Sequence, residues 1–236
     1  MVLNIPERCN DTFRQALQAL NESRVPNAIG GAFAIFHYTG MWRNTHDLDI
    51  YLEHKHLTDA VSALLSAGFE DKGEVAPGDN TWILHAIKND TLVDLIWEPP
   101  NHLRTVDTPM IAGGDDGEFL GVPVRFLSAD ELIWSKVFTL NRHRCDWPDI
   151  WHVIRARPSN LDWSNLLEHM GEQWPVLTSC IIMFDWTFPQ DREAIPNGIR
   201  DDLKRLHRER SNAEPEYQLE REELLDPWLY TRTCVE

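Results

Sequence analysis

Residues 27–53 read NAIGGAFAIFHYTGMWRNTHDLDIYLE. The pattern predicts a short strand at Ala28-Ile29, a Gly30-Gly31 turn, a helix, and a second strand carrying Asp47 and Asp49. Strand side chains alternate, so carboxylates two residues apart point to one face. Leu48, Ile50 and Leu52 then face the opposite way, into a core. Two carboxylates one pleat apart repel unless a cation lies between them. Hard divalent cations such as Mg²⁺ prefer oxygen ligands of this kind. An isolated D-x-D also occurs by chance on the solvated face of an edge strand. Here it follows a glycine pair that ends a strand and opens a helix, where backbone N–H groups and the helix dipole attract anions. An anion cradle followed by a metal-binding pair suggests a nucleotide–metal site.

Outward from this unit, Phe13, Ala16, Leu17 and Leu20 have helical spacing within 10–22, and Leu57–Ala67 is a second amphipathic helix. Phe69–Val75, Trp82–Lys88 and Thr91–Glu98 follow as strands of one meander, with turns at Pro77-Gly78-Asp79-Asn80 and Asn89-Asp90. In the last strand Asp94 interrupts the apolar run Leu92, Val93, Leu95, Ile96. A lone carboxylate there is costly to bury without a partner; the alternative is an Asp facing water from the sheet edge. Residues 99–120 read as a loop, with Gly113–Gly117 a solvated acidic turn, and Val122–Leu127 as a further strand. Ser128 and Glu131 have the spacing of a capping box. Beyond it helices are expected at about 129–143, 147–156, 162–171, 175–185 and 197–209. His54 and His56 have metal-pair spacing, but at a strand end such a pair is more often exposed surface.

The run from Gly30 to Ile50, with Arg43 and Thr45 placed as R-x-T-x-D-x-D, resembles the signature of the DNA polymerase beta-like nucleotidyltransferase superfamily. It is most similar to the small bacterial branch of minimal nucleotidyltransferases, abortive-infection-type toxins and some antibiotic-modifying enzymes. The spacing from Gly31 to Asp47 is slightly longer than in the shortest members. The resemblance covers roughly residues 10–155. It implies an α+β fold, with a mixed β-sheet, flanking helices and a helical C-terminal part. With it go a catalytic domain over 1–128, a helical domain over 129–209 read from the expected helices, and a tail over 210–236 read from its charge. Asp94 matches the third carboxylate of the family, so Asp47, Asp49 and Asp94 would be the catalytic metal ligands, for Mg²⁺ or Mn²⁺. Gly30, Gly31, Arg43, Thr45 and Lys136 would bind the nucleotide, with Lys136 on the triphosphate. Asp146 and Asp149 would order the helix that follows or help at the site. On charge alone, Lys136 and these acids could equally be a solvated helix face with local ion pairs.

The activity implied is transfer of an NMP from an NTP, ATP among them, to an acceptor hydroxyl on a small molecule, a tRNA end or a protein, by two-metal catalysis. Two readings compete. One is a non-catalytic binder of nucleotide or partner on the same fold; the other is a glycosyltransferase using D-x-D for a metal–sugar nucleotide. Composition narrows the field further. A formal charge of −16 argues against broad, non-specific nucleic-acid binding. The start MVLNIPERCNDTF lacks the basic and apolar regions of a signal peptide, and no apolar run reaches the roughly 18–20 residues of a membrane span. Cys9, Cys145, Cys180 and Cys234 form no C-x-x-C pair, so free thiols and a cytoplasmic location are expected.

Overall fold

A computed structural model describes residues 7–74, 79–99, 101–140 and 144–210. The Pro77-Gly78 half of the first predicted turn, Arg142, Cys234 and the tail from 211 onward lie outside the described residues. The chain divides into two compact units, one ending at Leu132 and one beginning at Ile133. Its architecture is α+β: a mixed sheet with flanking helices, then a helical region.

The first unit opens with α1 (Glu7–Glu22), whose Phe13, Ala16, Leu17 and Leu20 are all buried. Then come β1 (Ala28–Ile29), α2 (Gly31–Thr39), β2 (Asp47–Tyr51) and α3 (Leu57–Ser66). The meander follows as β3 (Glu70–Asp71), β4 (Ile83–Lys88) and β5 (Thr91–Ile96). The five strands stand in the order β1-β2-β5-β4-β3. Only β2 and β5 are parallel; the other neighbours are antiparallel. The alternation fixes the register. Leu48 and Ile50 are fully buried on one face of β2 while Asp47 and Asp49 remain half-buried on the other. A slip of one residue would put both carboxylates into the core and the two aliphatic side chains outside, which forbids it.

Residues 99–120 depart from the expected loop. Asp107 accepts a hydrogen bond from the Met110 backbone N–H at 2.9 Å, capping α4 (Thr108–Ala112), with Pro109 at its first turn. The acidic Gly113–Gly117 segment runs into a hairpin of β6 (Asp116–Phe119) and β7 (Val122–Arg125). Its Leu120-Gly121 turn has φ of 54° and 79°, the left-handed pair that a tight hairpin needs. Only half of the capping box forms. Ser128 Oγ accepts from the Glu131 N–H, but the Glu131 carboxylate turns instead to Arg104, 2.8 Å away.

The helices after Ser128 are α5 (Ala129–Val137), α6 (Trp147–Ala156), α7 (Trp163–Met170), α8 (Trp174–Thr187) and α9 (Asn197–Arg210). Among them α5 is shorter than expected, ending before Phe138. No helix among the described residues is long and apolar enough to cross a membrane.

Candidate active site

Parallel pairing of β2 with β5 sets Asp49 directly beside Asp94, and the alternation of β2 adds Asp47 to the same face. One carboxylate oxygen from each lies within 4.8 Å of the others. Asp47 and Asp49 are half-buried, and Asp94 is buried. The sheet-edge alternative for Asp94 does not hold, because β5 lies between β2 and β4. Thr45 Oγ1 donates to Asp47 Oδ1, while Arg43 is exposed in the segment leading into β2.

The glycine pair sits against this cluster. Gly30 N–H donates to the Asp49 carbonyl at 2.9 Å, extending the β1–β2 ladder by one bond. A Cβ on Gly30 would lie 2.3 Å from the Tyr51 ring. Gly31, at φ +53°, starts α2, and a Cβ there would meet Asp49 Oδ2 at 1.6 Å. The space that the missing side chain leaves is thus filled by the Asp49 carboxylate at the helix N-terminus. The Gly-Gly turn is a requirement of that carboxylate's position, whatever else it holds.

One further residue belongs to the row. His85, on β4, stands opposite Asp94, and its Nδ1 lies 2.7 Å from Asp94 Oδ1, both side chains about one-tenth exposed. The sequence carried a signal for it. Asn89 and Asp90, both at positive φ, make a two-residue hairpin turn, and counting outward from that turn pairs position 85 with position 94. Two ionisable residues interrupting facing apolar strands at matching distance from a turn must meet.

Lys136 belongs to the second unit. Its ammonium lies 2.7 Å from Asp146 and 3.1 Å from Asp149, and Arg144 donates twice to Asp146 at 2.8 Å. The local ion pairs are present but the face is not solvated, since Lys136 and Asp146 are both buried. Burial alone would push the Asp146 carboxyl up; the Arg144 hydrogen bond and the Lys136 and Arg144 charges outweigh it and hold it at about 2. His54 and His56 lie on a short 3-10 turn rather than a strand end, and His54 is exposed near the Trp97 ring. Cys9, Cys145 and Cys180 are free thiols.

No protein-family model matches the chain, and no curated protein does. Solved structures do. The antibiotic-resistance factor ANT(2'')-Ia is 17% identical, with 88% of this chain and 99% of that one covered at a TM-score of 0.41. The lincosamide antibiotic adenylyltransferase LnuA, bound to lincomycin, is 13% identical over 64% and 97% of the two chains, at 0.45. An antigenic nucleotidyltransferase-like protein from Paracoccidioides brasiliensis is 17% identical over 75% and 93%, at 0.43.

Proposed function

We propose that this chain is a nucleotidyltransferase that moves an NMP from an NTP to an acceptor hydroxyl. The observation that carries the reading is the meeting of Asp47, Asp49 and Asp94, with ligand oxygens within 4.8 Å, at the N-terminus of α2. Three carboxylates this close repel one another, and an all-oxygen donor set suits a hard divalent cation. Bound there, Mg²⁺ would neutralise triphosphate charge and lower the pKa of the acceptor hydroxyl. The chain's own contribution is positioning. Asp47 and Asp49 would hold the cation from one strand and Asp94 from its neighbour. Asp94 also stands as the base for the acceptor proton. The N–H groups that open α2, with Gly30 and Gly31, would face the phosphates. Arg43 and Thr45 complete the proposed nucleotide contacts, whereas Lys136 is buried on Asp146 and Asp149 within the second unit.

The test is thermal unfolding with ATP, GTP, CTP and UTP, each with and without Mg²⁺, on wild type and on the double variant Asp47→Asn/Asp49→Asn. A ligand that binds only the folded protein raises the melting temperature, by an amount set by its concentration relative to Kd. The expected result is a Mg²⁺-dependent rise with at least one nucleotide, lost in the double variant. A rise that the double variant keeps would move the nucleotide site elsewhere.

A further inference from the structure

We infer that His85 is a positioning residue for the divalent cation, acting through Asp94; this rests on the nucleotidyl-transfer reading above. An ionised carboxylate can only accept, so the 2.7 Å contact to Oδ1 requires the proton on His85 Nδ1. That bond takes one of the carboxylate's roughly four acceptor positions. It also fixes the carboxylate plane. Asp94 is anchored by its strand neighbour on one side, His85, and stands beside Asp49 on the other. Three residues on three adjacent strands therefore form one row: an orienting donor, an oriented ligand and a second ligand. A purely packed strand would carry an aliphatic side chain at position 85, as it does at the buried Ile83. A buried imidazole is favourable only with its partner in place. Hydrogen-bond partners of metal-binding carboxylates typically change metal affinity by about 10–100-fold when removed.

The experiment is a titration with Mn²⁺ alone, followed by the EPR signal of free Mn²⁺, at one fixed pH. It uses wild type, His85→Asn, His85→Gln and Asp94→Asn, with thermal unfolding of each. An Asn side chain can place an N–H near the position of Nδ1, whereas Gln carries its amide out toward Nε2. Mn²⁺ affinity should fall at least about 10-fold in His85→Gln and stay within about threefold of wild type in His85→Asn. Both variants have polar amides, so a merely structural role would move their melting temperatures together and leave Mn²⁺ binding alone. Equal affinity in wild type and His85→Gln, with Asp94→Asn impaired, overturns the role of His85 and leaves the carboxylate site standing. Equal affinity in all four, or no binding by wild type, removes the carboxylate site and this inference with it.

Discussion

Two clusters of aspartates among the described residues are built on different terms. Asp146 is enclosed by a guanidinium and an ammonium, and Asp149 shares the ammonium. In the first unit, Thr45 and His85 give a hydroxyl and an imidazole to Asp47 and Asp94, and three carboxylates crowd within 4.8 Å. One cluster is held by a guanidinium and an ammonium of its own unit; the other gathers three carboxylate oxygens at one face of a sheet. Acidic residues close together mean little by themselves. What surrounds them separates a structural knot from a ligand site.

The largest effect should come from breaking the neutral cluster. Lys136→Met leaves buried Asp146 and half-buried Asp149 with the ammonium gone, and removing one partner of a buried pair costs about 3–5 kcal/mol. Urea unfolding followed by tryptophan fluorescence should report a loss of that size. A loss under about 1 kcal/mol would mean the pairs behave like exposed ones, and the contrast would fail on that side.

Acid should loosen the same cluster over a defined window. The Asp146 carboxyl sits at about 2 in the folded chain against an ordinary 3.8. Because the folded value is the lower one, the stabilisation is present above the unfolded value and is lost as pH falls through about 2. The shift corresponds to roughly 2 kcal/mol. The stability gap between wild type and Asp146→Asn should therefore narrow by about 2 kcal/mol from pH 5 to pH 2. A gap that stays constant would show that the carboxylate is not held ionised by its neighbours.

The two clusters also differ in how well they can be read from sequence. The strand of the candidate site announces itself because alternation is local: Asp47 and Asp49 against Leu48 and Ile50 fix a face without knowledge of the rest. Asp94 is legible as a polar interruption of an apolar strand, and the Asn89-Asp90 turn contained the register that adds His85. Short elements were less legible. The helix Thr108–Ala112 and the strand Asp116–Phe119 are too brief for a period to show among glycines and acids. The knot at Lys136 depends on a return of the chain across ten residues, with no periodic pattern linking the partners. Even local signatures yield to tertiary partners. Asp146 stands at the N-cap of α6, yet its side chain makes no capping bond and goes to Arg144 and Lys136. Glu131 likewise leaves its capping box for Arg104.

The smallest effect is the one that separates the clusters by sign. Asp49→Asn keeps the shape that fits against Gly31 while removing one of two like charges set side by side on β2 and β5. Like charges directly opposite on neighbouring strands destabilise, and pairs of this kind are worth about 0.2–1 kcal/mol. Without divalent cation, then, Asp49→Asn should melt at or slightly above the wild-type temperature. With Mg²⁺ and nucleotide present the order should reverse, because wild type alone gains the stabilisation of bound ligand. The same substitution chemistry at Asp146 takes a carboxylate from Arg144 and the buried Lys136 and lowers stability under both conditions. A variant at Asp49 that loses several kcal/mol without metal would show that its carboxylate is held by the chain as Asp146 is. The difference between the two clusters would then disappear.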